Sequence, residues 1–319
     1  MDQPLELTVV MYHYVRDPGD AAETGSGIPG LPTAHFDAQL DLLADRYTIV
    51  DWPTVRAHLL GQAALPPRAC TLTFDDGLCD HYLNVFPRLR ARGLSGLFFA
   101  LARPRGAGLP LPHQLHFLIA ALGVDQFRER LEAALDPATR QHLAAASTAY
   151  LTGPFAFARG NPPEAFRVTL QRELAKDAAP AIGQLFAAHI GPERNVTERL
   201  FLLPAQVREM LAGGMHFGGH SATHPWLDFA DDDALAREAA GSADWLAGLA
   251  PGPFAFAYPF GGFDERTPAA LARAGFCAAF TTRAQVRHGS AFHIGRLDGE
   301  WLPPAGEGDA AFLLEARHA

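Results

Sequence analysis

Two adjacent carboxylates, Asp75 and Asp76, sit in the stretch TFDDG at 73–77, just after the apolar run ACTLTF. Like charges at that distance repel and lose solvation, so the pair needs a cation or a reaction to justify it. A second stretch, GGHSATHPW at 218–226, places His220 and His224 four residues apart. At that spacing both imidazoles can face one point, and neutral imidazole suits a divalent metal such as zinc. One Asp with two His makes a three-ligand site that leaves open positions for water and substrate. The carboxylate left over can serve as general base toward a metal-activated water. Taken singly, Asp-Gly is common turn chemistry, and two nearby histidines can be coincidence in a chain with 14 of them. Joined, the two stretches specify a metal-assisted hydrolytic site.

Such a site needs elements that bring the two stretches together. Short apolar runs alternate with amphipathic ones, the pattern of a parallel α/β protein. Strands are expected at 7–14, 47–50, 69–74, 95–101, 215–219, 254–258, 276–282 and 292–297. TFDDG and HSATH then both follow strand ends, and parallel folds build their sites where those ends converge. Helices are expected at 36–47, with Thr33 as a cap, and after Asp51, where Pro53 suits a first turn. Between 102 and 200 helical spacing continues with no strand between, which predicts a helical insertion within one domain spanning 1–319. The Gly/Pro-rich segment 16–32 is expected as a long exposed loop overhanging the site.

Composition narrows the partners. The chain has 319 residues, 48% of them hydrophobic, and a formal net charge of −9. That balance argues against nucleic acid and against anionic membrane surfaces. No run approaches the roughly 18 apolar residues of a membrane span. The first 15 residues lack the basic start of a signal peptide, so a cytoplasmic location is expected. Three cysteines without CxxC spacing exclude a zinc knuckle or disulfide scaffold.

With these residues in hand, the chain resembles the polysaccharide deacetylase (NodB-homology) family, also called carbohydrate esterase family 4. TFDDG matches the family's first motif in full, and HSATH at 220–224 matches its second, H(S/T)xxH. The third, RxPYG, is met by AYPFG at 257–261, where Ala257 replaces Arg and Phe260 replaces Tyr. The resemblance covers most of 5–101 and 200–300 and omits the helical insertion. It implies a distorted (β/α)7-type barrel and a metal-dependent hydrolase that removes acetyl groups from N-acetylated sugars. It implies Asp75 as catalytic base, and Asp76, His220 and His224 as ligands of one divalent metal: Zn2+ first, with Co2+, Ni2+ or Mn2+ as alternatives. The backbone N–H of Phe260 would hold the oxyanion, a role indifferent to the Tyr-to-Phe change.

Two departures need replacements. Arg296, in HIGRLDG, is expected to pair with Asp75 in place of the missing motif-three Arg; a structural pair with Asp298 is the alternative. The family's late LxH acid has no clear match. The segment VVMYHYV at 9–15 resembles the start of a circularly permuted branch that includes poly-N-acetylglucosamine deacetylases, so His13 is preferred over His293 as general acid. Pro259, Trp226 and His293 are candidate substrate contacts, with core packing as the alternative for Trp226. His113 and His116 are read as surface residues at a helix start, with substrate contact as the alternative. A deformylase, an O-acetyl esterase and a catalytically silent carbohydrate-binding module are the competing functions. Oligomeric state is left open.

Overall fold

A computed structural model describes residues 7–19, 27–102, 107–153, 158–283 and 290–302. The chain begins with β1 (Leu7–Tyr12), α1 (Thr33–Arg46), β2 (Thr48–Ile49), α2 (Trp52–Leu59) and β3 (Ala69–Phe74). A π turn at His81–Val85 runs into α3 (Phe86–Ala91), followed by β4 (Leu97–Ala100). Helices α4 (Leu111–Leu122), α5 (Val124–Ala134), α6 (Pro137–Thr152), α7 (Pro162–Arg172), α8 (Ala179–His189) and α9 (Glu193–Leu200) come next. The rhythm then resumes with α10 (Pro204–Ala212), β5 (His216–Gly219), α11 (Asp232–Ala247) and β6 (Phe254–Ala257). It closes with α12 (Arg266–Arg273), β7 (Phe276–Phe280) and β8 (Leu297–Asp298).

The strands are parallel and run β7-β6-β5-β4-β3-β1-β8, with β2 paired to β3. The last segment curls this sheet on itself. Ile294 bridges Phe280 of β7, and Leu297 and Asp298 pair with Val10 and Met11 of β1. The result is the distorted (β/α) barrel expected from the sequence.

Side chains alternate between the two faces of a strand. Leu7 and Val9, Ala69, Leu97 and Phe99, Ala255 and Ala257, Ala278 and Phe280, and Ile294 form one buried cluster, the barrel interior. Val10, Tyr12, Cys70, Leu72, Phe74, Phe98, Phe217 and Phe256 pack outward with α1, α3, α10 and α11. Continuing the inward parity past the ends of β1 and β3 gives His13 after Leu7 and Val9 and Asp75 after Ala69, and the same parity from the Ile294 bridge gives Arg296, just before β8. Gly218 shows why β5 obeys the same rule. A Cβ there would stand 2.6 Å from Phe99, so only glycine lets the interior close, and His220 follows two residues on.

Helices α4 to α9 build a second core from Leu115, Leu118, Phe127, Leu131, Phe166, Leu170, Ile182, Phe186 and Leu200. It continues onto Leu78 and Leu101 of the barrel and onto Ile28. At the end of these helices Phe201 bridges Leu78, and the Leu202 N–H donates to the Gly77 carbonyl at 2.8 Å. At their start the Ala102 N–H donates to the Ser221 carbonyl at 2.9 Å. Both junctions therefore touch the loops that carry TFDDG and HSATH.

Two expectations need correction. Thr33 does not cap α1 but lies inside it. Asp17 reaches across instead, its carboxylate accepting from the Thr33 N–H at 2.9 Å and hydroxyl at 2.8 Å. The 16–32 segment is not simply exposed: Arg16 and Ile28 are buried, and its residues 20–26 lie outside the described residues. Within the inserted helices, α4 and α5 are separated at Gly123, whose φ of 75° strongly favours glycine.

Candidate metal and catalytic centre

Asp75 and Asp76 leave the end of β3 in different directions. Asp75 keeps the inward parity of the strand. Asp76 takes a φ of 73°, a left-handed conformation that costs a non-glycine residue energy. Gly77 follows at φ 66°, and a Cβ on it would meet the Ala100 Cβ at 2.8 Å. The tight turn is what separates the two carboxylates.

The Asp76 Oδ1 atom stands 3.3 Å from His220 Nε2 and 3.2 Å from His224 Nε2. One potential ligand atom from each of the three residues falls within 4.8 Å of the others, and all three side chains are buried. His220 Nδ1 lies 2.8 Å from the Ala257 carbonyl, which fixes its proton there and leaves the Nε2 lone pair facing Asp76. His224 is turned inward by a φ of 63°, and its N–H donates to Ser221 Oγ at 2.9 Å. Asp76 Oδ1 has no hydrogen-bond partner although it is buried. Such an acceptor between two imidazole nitrogens is costly without a cation, so the donor set fits a divalent metal. Burial works to raise the Asp76 carboxyl, yet the neighbouring His113, His220 and His224 carry it well below the usual carboxylate range.

Asp75 has a different partner. Arg296 Nη1 and Nη2 donate to its two oxygens, each at 2.7 Å, in a bidentate pair. The guanidinium is itself held by the Thr281 carbonyl at 3.1 Å and Thr73 Oγ1 at 3.3 Å. Burial works to raise the Asp75 carboxyl, but the Arg296 charge and the nearby His220 hold it below its ordinary value. Arg296 thus pairs with Asp75 rather than Asp298, and Ala257 offers its carbonyl to His220 instead of a guanidinium to Asp75.

His13 stands with its Nε2 3.9 Å from Asp75 Oδ2 and 39% of its side chain exposed. His293 stacks on Phe263 at 4.7 Å, against the residues that follow β6. Pro259 opens a single 3-10 turn, Pro259–Gly261, in which Phe260 has a φ of 58°. The Phe260 ring stands edge-on to His224 at 4.6 Å and stacks on Trp226 at 4.4 Å. Trp226 is only 5% exposed, with the Arg172 guanidinium 4.7 Å over its ring. Trp226 thus packs behind Phe260, with most of its ring covered.

His113 is the residue the sequence reading placed wrongly. It lies in the first turn of α4, as expected, but it is 1% exposed, with Nε2 3.8 Å from Asp76 Oδ2. His116 is half-buried beside it, and burial pushes its imidazole down to about 3. The available signal was a pair of histidines three apart in PHQLHF, on the apolar stripe of an amphipathic helix.

Comparison with known proteins agrees with this geometry. The polysaccharide deacetylase family profile matches residues 160–279, which include HSATH and AYPFG. A putative polysaccharide deacetylase of Bacillus subtilis is 27% identical over 106 residues, 33% of this chain and about a third (35%) of that protein. Among solved structures, the Streptococcus pyogenes deacetylase PplD, in complex with acetate, superposes with a TM-score of 0.57 at 18% identity, covering 98% of this chain and 99% of the other. IcaB from Ammonifex degensii gives 0.53 at 20% identity, over 91% and 90%. The de-N-acetylase of Aggregatibacter actinomycetemcomitans gives 0.54 at 15%, over 97% and 98%. These likenesses are to the fold. Two full motifs in order and the profile match across the second of them make the chain similar to the polysaccharide deacetylase family over residues 160–279, on a fold it shares with solved deacetylases.

Proposed function

We propose that the protein is a metal-dependent N-deacetylase acting on an N-acetylated sugar or a sugar-containing intermediate. The observation that carries this reading is the division of labour between adjacent carboxylates: Asp76 Oδ1 converges with two imidazole nitrogens, while Asp75 is clamped by Arg296. Asp76, His220 and His224 would hold the metal, with Zn2+ the best match to their chemistry. A divalent cation there supplies Lewis-acid polarisation and a water of lowered pKa.

The chain's own residues do the rest. Asp75, kept ionised by Arg296, accepts the proton of the attacking water. The Phe260 turn presents a backbone N–H toward the developing oxyanion. His13, within reach of Asp75 and open to solvent, gives a proton to the nitrogen as the C–N bond breaks, releasing acetate and a free amine. We read 1–319 as one catalytic unit, with the 102–200 helices walling the centre.

No helix among the described residues is long and apolar enough to cross a membrane. The test is acetate release from a panel of N-acetylated and O-acetylated sugars, with N-formylated analogues, before and after dialysis against a chelator. The reading requires release from an N-acetyl substrate, loss on chelation, and return with Zn2+. Turnover only of O-acetyl or N-formyl substrates, or full activity after chelation, overturns it.

A further inference from the structure

The helices between β4 and α10 contribute a side chain to the centre itself. His113 comes from the first turn of α4 and packs on Phe201, which bridges Leu78 just after TFDDG. Its ring stands edge-on to Phe201 at 5.2 Å and 6.1 Å from His224. Its Nδ1 lies 3.2 Å from the Tyr14 hydroxyl. Burial, with the negative charge of Asp76, pushes the Tyr14 hydroxyl far up, so it keeps its proton. The Arg16 guanidinium lies 4.4 Å over the Tyr14 ring and is anchored by Asp80 at 2.6 and 2.8 Å, both groups buried.

This arrangement has a direction. A Tyr14 O–H that donates to His113 Nδ1 leaves the imidazole proton on Nε2, the nitrogen that faces Asp76 Oδ2. At 3.8 Å that approach is too long for a hydrogen bond, so it acts as an oriented N–H dipole beside the carboxylate. Asp76 Oδ1 is then the oxygen left to meet His220 and His224. His220 is the mirror case, with its proton fixed on Nδ1 and its Nε2 lone pair turned to the centre.

We propose that His113, with its tautomer set by Tyr14, is a positioning residue for the metal centre: it holds Asp76 so that one oxygen ligates the cation. The inference rests on the metal-dependent reading above. It makes the inserted helices part of the centre rather than an addition to it.

The experiment is Zn2+ affinity by competition against a chromophoric chelator, for wild type, His113→Ala, His113→Gln, His113→Phe and, as control, His220→Ala. Urea unfolding of each metal-free protein reports folding separately. Groups that orient metal ligands are worth about 10–100-fold in affinity. His113→Ala and His113→Phe are expected to weaken Zn2+ binding by that factor. His113→Gln, which can place an amide N–H near Oδ2, is expected within about threefold of wild type by the same argument. A role in packing alone reverses the order, because Phe keeps the ring volume and Gln does not. If Phe binds Zn2+ like wild type, or if Ala does, the inference is overturned. If His113→Ala does not fold, the Gln and Phe comparison decides. If wild type binds no better than His220→Ala, the metal-dependent reading itself fails, a result distinct from the others.

Discussion

Arg296 reaches Asp75 from the far end of the chain and holds both of its carboxylate oxygens at 2.7 Å. The family's third motif would place an Arg at 257. Here residue 257 is a buried alanine, and the guanidinium arrives from the segment that closes the barrel between β7 and β1. Both routes lead to the same carboxylate because the strand ends converge there.

That pair is buried on both sides, so breaking it leaves an uncompensated charge. Arg296→Ala is expected to cost about 3–5 kcal/mol of stability, the usual range when one partner of a buried ion pair is removed. Adding Asp75→Asn should recover part of the loss, because the stranded charge goes with it. Urea midpoints of the two single variants and the double variant check this. Arg296→Lys should keep the charge, lose the bidentate geometry and still lower turnover.

How far was this centre legible without coordinates? Asp75, His220, Arg296 and His13 were, for one physical reason. Asp75, His220 and His13 continue the inward parity of a strand just past its C-terminal end, and Arg296 keeps the same parity from the Ile294 bridge just before β8; the family resemblance then singled out His13 and Arg296 among the residues so placed. His113 was not. A histidine in the first turn of a helix is ordinarily solvent-facing, and here it is buried among Phe201, Tyr14, His224 and Asp76. Phe201 comes nearly ninety residues later, and no local pattern encodes the contact. Trp226 was ambiguous for a related reason: its burial depends on Arg172 from α7.

Acid sensitivity should begin well above the carboxylate range. His81 is buried beside the His13 carbonyl, 3.1 Å from its Nε2, and burial pushes its imidazole down to about 4. In the unfolded chain it takes up a proton near its ordinary value of about 6.5. Its neutral form thus contributes stability that is fully present above that value and lost as pH falls toward the folded one. His116 has the same sign. The slope for one such group is about 1.4 kcal/mol per pH unit. His81→Gln, which keeps a donor for the carbonyl, should flatten stability between about pH 6.5 and 4 by that slope. Urea unfolding across the window checks it.

The turn after Asp76 offers a test of backbone placement. Gly77→Ala puts a methyl against Ala100 at a positive φ, so about 1–3 kcal/mol of destabilisation is expected from strain alone. Because that turn aims Asp76, Zn2+ affinity should fall with it. Unchanged affinity would mean that the turn tolerates the methyl without moving the ligand.

Restoring the family residue at 260 should matter little. The role assigned to Phe260 uses its amide, and its ring already packs on Trp226 and His224. Phe260→Tyr is therefore expected to change kcat/KM by no more than about threefold, under 1 kcal/mol in the barrier. Steady-state acetate release is the measurement.

The central claim is that two neighbouring carboxylates do different work. It is tested most directly by measuring, on one preparation of Asp75→Asn, both bound Zn2+ per chain and the rate of acetate release. The account predicts Zn2+ retained near the wild-type level with turnover reduced by about a thousandfold or more, the scale of losing a positioned general base. Near-wild-type turnover, or loss of the Zn2+ together with the activity, would contradict it.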